Sequence, residues 1–297
     1  MIKQYLSKTL RWAADRSIRS KRISKLFFNS NTLFNTKIFC DFGDHRLIFD
    51  PNETIGRRLL LTGNFNRNAT LEVINRAIGN KPGGVMVEIG ANIGTQTIYA
   101  ALSHDFDRII AIEPDSDNVN LLRINIQLNA LEDRVEIVHS ALSDKPSTLQ
   151  LKKNAHNSGA STVEEFYDEL QSDDITIEQI EAQCGDELLS DLEVTPNDIR
   201  LIWIDVEGHE ANVFQGMPEL LQFKPTIYFE YSAHRLKPEQ REIISRILFD
   251  TYARVYIHHN NGFKPLTRED FDQLPNTHAH VDLLLMDCEL LQTDALG

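Results

Sequence analysis

Val87-Glu88-Ile89-Gly90-Ala91-Asn92-Ile93-Gly94 is the stretch on which the reading of this chain turns. It closes a short apolar run, Val85–Ile89, that follows the break Lys81-Pro82-Gly83-Gly84. A run of that length bounded by turn residues predicts a buried parallel strand. Thr95–Leu102 beyond it predicts a helix. Gly90 permits a tight turn with no Cβ clash. Gly94 permits close approach of a ligand, or close packing of helix on strand. Open α/β sheets bind ligands at such strand-to-helix junctions.

Outward from this point the pattern repeats. Arg108–Ile112, Val135–Ser140, Leu201–Asp205 and Thr226–Tyr231 read as further strands, with a helix over Ser116–Asn129. Arg254–His258 and Val281–Met286 add two more strands. Strands alternating with helical stretches imply βαβ units and an α/β fold with a parallel sheet. Residues 152–175 read as a loop or lid. Before the glycine turn, Lys37–Cys40, Arg46–Asp50 and Leu59–Leu61 read as short strands, and residues 69–79 as a helix ending at Gly79. Three parts follow: a basic extension over 1–30, a cap over 31–80 and a ligand-binding domain over 81–290.

The ligand can be narrowed. A dinucleotide site uses GxGxxG to seat pyrophosphate on a helix N-terminus. Here the pattern is GxxxG, and Glu88 stands just before the turn, where a carboxylate would repel pyrophosphate. A cationic ligand suits it, and S-adenosylmethionine carries a sulfonium and an ammonium. Glu88 is read as holding that ammonium, directly or through water. Glu113 ends the second strand 19 residues past Gly94, the position from which a carboxylate accepts from both ribose hydroxyls.

Glu113-Pro114-Asp115, with Asn118, Leu122, Asn125 and Asn129 after it, and Ile204-Asp205-Val206-Glu207-Gly208-His209-Glu210, with Gly216 after it, complete a pattern with Gly90–Gly94. From about Leu59 to Tyr231 the chain resembles the FkbM-type methyltransferases. The resemblance implies a class I, Rossmann-like fold: seven strands, mostly parallel, with an antiparallel last strand. It implies S-adenosylmethionine as donor and O-methylation of sugar, glycan or other small-molecule hydroxyls. Glu88, Gly90, Asn92, Gly94, Glu113, Asp205, Glu207, Gly208 and Glu210 are the matching positions. Ser140 and Ala141 follow the third strand, where this fold brackets adenine. Trp203 stands where many relatives have Lys, and Asn66 where many have an acid.

A hydroxyl acceptor benefits from a general base or a metal that lowers its pKa. His209 is the expected base, with Asp205 and Glu230 orienting acceptor or cofactor. In a variant, Asp205, Glu207 or Glu230 holds a divalent ion such as Mg²⁺ or Mn²⁺. His234 reads as a structural or surface residue, and the pairs His258-His259 and His278/His280 read as surface or loop residues.

Composition sets the outer bounds. Of 297 residues, 41% are hydrophobic and 25% charged, ordinary for a globular protein. The net charge of −14 leaves an acidic body, which argues against a nucleic-acid partner. Cys40, Cys184 and Cys288 lie far apart and form no CxxC pair, which fits a reducing cytoplasm. Residues 1–30 are basic and amphipathic, with Ile2, Leu6, Leu10, Ala13 and Ala14 at helical spacing. They could cap the acidic body, touch an anionic membrane surface or serve as a transit segment. The competing functional reading is a methyltransferase-like scaffold without catalysis.

Overall fold

The computed structural model describes residues 37–79, 82–154, 159, 161–163, 175–259, 262–277 and 280–291. The expected extension over 1–30 lies outside them. The chain divides into two compact units, Met1–Phe65 and Asn66–Gly297.

In the first unit, β1 (Ile38–Asp41) and β2 (Arg46–Phe49) form an antiparallel hairpin with Ile38 opposite Phe49. Helix α1 (Thr54–Thr62) follows and ends at Gly63, whose φ of 69° suits glycine. Leu59–Leu61 therefore lies in a helix, not the expected strand. Three apolar residues cannot separate the two states. Ile55 and Leu59, four residues apart, share the buried helical face.

The second unit opens with α2 (Arg67–Val73), which runs into a π-helical turn over Ile74–Ile78 and stops at Gly79. Its main sheet takes β3 (Val85–Ile89), β4 (Arg108–Ile112), β5 (Val135–Val138), β9 (Ile199–Ile204), β10 (Ile227–Tyr231), β11 (Arg254–His259), β12 (Gly262–Pro265) and β13 (Val281–Met286). The spatial order is β12-β11-β13-β10-β9-β3-β4-β5. The pairs β10–β9, β9–β3, β3–β4 and β4–β5 are parallel. β13 slots antiparallel between β10 and β11, so the last strand is reversed as expected. The sheet has eight strands rather than seven. Past β11 the chain folds back as a hairpin, and Gly262, at φ 97°, leads into the extra edge strand β12.

Helices α3 (Thr95–Ser103) and α4 (Ser116–Leu128) connect the first parallel strands. Asp115 caps α4 by accepting from the backbone N–H groups of Asp117 and Asn118. Later come α5 (Gly185–Asp191), α6 (Glu210–Gln215), α7 (Pro218–Leu221), α8 (Pro238–Arg246) and α9 (Arg268–Thr277). One face of the sheet, through Val87, Ile89, Ile202, Ile204, Phe229 and Leu283, joins a single core with Leu188, Val213, Phe214, Leu220 and Ile244. Strand side chains alternate, so Glu88, Trp203 and Tyr228 belong to the other face.

A three-stranded sheet takes up the two ends of the expected lid, 152–154 and 175, and most of the lid between them lies outside the described residues. β6 (Ala141–Leu142) pairs parallel with β8 (Ile175–Gln183), and β8 pairs antiparallel with β7 (Ser147–Asn154) from Ser147↔Ala182 to Asn154↔Ile175. Lys153 anchors the hairpin. Its ammonium lies 2.8 Å from Asp115, 2.7 Å from Asp117 and 3.1 Å from Glu178. Burial would lower its pKa, but these carboxylates outweigh burial and hold it above the usual lysine range.

Candidate active site

The glycine turn is built by close approach. Gly90, at φ 91°, lies so near strand β9 that a Cβ there would sit 1.9 Å from the Asp205 carbonyl oxygen. Gly94, at φ 87°, packs against α4, where a Cβ would meet Leu122 Cδ1 at 2.5 Å. The close contact at Gly94 is thus with a helix rather than with a strand. Asn92 takes φ 50°, and its Oδ1 accepts from the Ile93 N–H at 2.8 Å. The Gly90 and Ala91 N–H groups donate to the Ile112 carbonyl, tying the turn to the end of β4.

Glu113 stands beside that tie. Its Oε2 accepts from the Asn92 N–H at 2.8 Å, and its Oε1 from the Asp115 N–H at 2.9 Å. Burial pushes its pKa up to about 7, against these hydrogen bonds. Glu88 is buried on the neighbouring strand and accepts from the Thr97 hydroxyl. Burial pushes it up to about 8, and the charge of Glu113 adds to the rise. Two buried carboxyls thus flank one glycine turn. The Ser140 hydroxyl donates to the carbonyl oxygens of Ala141 and Glu181, at 3.0 and 3.1 Å. That hydroxyl is committed to main chain, while Ala141 lies in β6.

A second group forms at the carboxyl ends of β9 and β10. Asp205 follows Ile204, which is opposite Phe229. Glu230 is opposite Asp282, and Asp282 opposite His258. The alternation sets Asp205, Glu230, Asp282 and His258 in one row on the face that carries Trp203 and Tyr228. Asp205, Glu207 and Glu230 each bring one oxygen within 4.8 Å of the others. Arg235 is ion-paired with Glu207, which is held at φ 53°. Burial raises Asp205 well above the carboxylate range, and the charges of Glu230 and Asp282 add to it. Burial and Asp282 likewise raise Glu230.

His209 does not join this row. It is buried at the start of α6, with Nε2 3.1 Å from Ser143 Oγ, whose hydroxyl donates to Asp144 Oδ1. The imidazole is thus engaged with Ser143 rather than with the acids of the row. The structure sets the expected base apart from the Asp205–Glu230 group, beside Ser143 and Asp144. Glu210 Oε1 accepts from the Gly208 N–H at 2.9 Å, a local role at the start of α6. His234, His259 and His280 are exposed, and His278 lies outside the described residues.

His258 departs from its surface reading. It is a half-buried residue of β11 whose side chain is only 7% exposed, stacked on Phe263 with ring centroids 4.4 Å apart. Its Nδ1 lies 2.8 Å from the Tyr228 phenol, and its Nε2 3.3 Å from Glu72 Oε2. Tyr228 also hydrogen-bonds Asp282 and packs on Trp203 at 4.3 Å. Asp282 and Tyr228 are thus site residues that sequence reasoning missed. The signal was an acid inside the apolar run Val281–Met286.

A sheet with this strand order, a glycine turn after its central strand and an acid ending the next has the class I, Rossmann-like architecture. Residues 88–288 match the Methyltransferase FkbM domain, and the chain belongs to that family. A curated relative, ribosomal RNA small subunit methyltransferase A of Streptomyces avermitilis, is 27% identical over 149 residues. That match covers 48% of this chain and 48% of the relative, so the chain spans about half the length of the protein it matches. Among solved structures, methyltransferase FkbM from Methylobacillus flagellatus KT is similar at 15% identity and a TM-score of 0.44, over 77% of this chain and 52% of that one. The O-methyltransferase from Bacillus cereus, solved in complex with SAH, is similar at 14% identity and a TM-score of 0.39, over 75% and 83%. Among the described residues no helix is long and apolar enough to cross a membrane.

Proposed function

We propose that this protein transfers the methyl group of S-adenosylmethionine to a hydroxyl of a sugar, glycan or other small-molecule acceptor. The observation that carries the reading is Glu113, pinned by the Asn92 and Asp115 N–H groups at the end of β4 beside the glycine turn. Glu113 and Glu88 are buried carboxyls with raised pKa values, and a ligand offering ribose hydroxyls and an ammonium would compensate both. The bound cofactor supplies a methyl group on a sulfonium.

The chain's own residues supply position and a proton acceptor. Glu230, a carboxylate made more basic by its surroundings, takes the acceptor's hydroxyl proton, and Asp205 orients the acceptor. Asp205, Glu207 and Glu230 form an oxygen set that suits a hard divalent ion. Arg235 already neutralises Glu207, so transfer is expected to persist in EDTA. The row of acids and the acidic body favour a small-molecule or glycan acceptor over nucleic acid. A cytoplasmic setting, with peripheral membrane contact through residues 1–30, belongs to the same proposal.

The test is transfer of labelled methyl from S-adenosylmethionine to a panel of sugars and glycans. Glu230→Gln is expected to cut turnover by about a hundredfold or more. His209→Ala is expected to retain most of it. Turnover lost in EDTA and restored by Mn²⁺ would place an ion in the site. Cofactor binding with no transfer to any acceptor would favour the scaffold reading.

A further inference from the structure

Helix α3 begins directly after the glycine turn, and its N-cap, Gly94, has no side chain to cap it. The first turn therefore carries backbone N–H groups that need an oxygen from elsewhere. Glu88 supplies one from strand β3. Its carboxyl accepts from the Thr97 hydroxyl and faces the Thr97 backbone N–H. Thr97 is fully buried, and the hydroxyl of Thr95 on the same turn is directed to Gln96 instead. The groups that bear electrostatically on Glu88 are Glu113 after β4 and Asp205 after β9. Both are acids, so the Thr97 hydroxyl is the neutral donor that holds this carboxyl within an acidic neighbourhood. The positive end of the helix favours the ionised form at the same spot.

We propose that Thr97 is a positioning residue for the amino-acid end of the cofactor: its hydroxyl fixes the one Glu88 rotamer that can meet the ligand's ammonium. The proposal rests on the S-adenosylmethionine reading. A cap that served only the helix would not care which ligand is bound. A clamp on Glu88 discriminates between ligands with and without the ammonium.

The experiment is calorimetric titration of the full chain with two probes, S-adenosylhomocysteine and 5′-methylthioadenosine, the second lacking the amino-acid portion. Thr97→Val keeps the branched shape and removes the hydroxyl. It is expected to weaken S-adenosylhomocysteine about tenfold or more, the scale of a lost hydrogen bond to a charged group. Binding of 5′-methylthioadenosine should be unchanged, which also shows that the variant is folded. Thr97→Ser should restore the wild-type ratio. Equal loss for both probes, no loss for either, or failure of serine to restore the ratio overturns the proposal. A wild-type chain that binds neither probe overturns the cofactor reading itself, a result distinct from these.

Discussion

Gly90 shows how much one residue fixes. Its missing Cβ lets β3 and the end of β9 approach, and its positive φ turns the chain toward α3. Gly90→Ala is expected to destabilise the chain by about 2 kcal/mol or more, measured by urea denaturation. A variant as stable as wild type would show that the turn relaxes freely. Gly90, Glu88 and Glu113 were legible because each sits at a fixed offset from a strand end. Thr97 and Asp282 were not. Their partners, Glu88 and the Glu230–Tyr228 pair, are set by tertiary folding and strand register. His209 is next to the site in sequence, while its ring turns to Ser143, a partner that only tertiary folding supplies.

Elements were readable in proportion to their burial. β3, β4, β9, β10 and β13 are apolar runs buried between layers, and their extents were found to within two residues. The β7–β8 hairpin was harder. Its signal is a weak alternation, Leu149 opposite Ile180 with Leu151 and Ala182 on the same face, among charged residues. What fixes it is Lys153 reaching three carboxylates on β8 and at the start of α4. Lys153→Met is expected to speed amide exchange across Ser147–Asn154 and Ile175–Gln183 and to leave β3 and β9 protected. Unchanged exchange in the hairpin would show that its own ladder is sufficient.

For the whole molecule, the topology followed from alternation of strand and helix, and the site from the edge where parallel strands end. Its acidity has a consequence for stability. Burial holds Glu88 at about 8 and Glu113 at about 7, above their ordinary 4.5, and Asp205, Glu230 and Asp282 shift the same way. Between the ordinary and raised values the folded chain keeps protons that the unfolded chain has released. Stability therefore falls as pH rises through that window. The ligand-free chain should melt several degrees higher at about pH 5.5 than at about pH 8. A melting temperature that climbs over that range would contradict the shifts.

The central claim is that this glycine turn and Glu113 bind an adenosyl ligand. Isothermal titration with S-adenosylhomocysteine, for wild type and Glu113→Ala side by side, tests it most directly. The account predicts micromolar binding by the wild-type chain, weakened about tenfold or more when the ribose-facing carboxylate is removed. No binding by the wild-type chain, or equal binding by both, would contradict it.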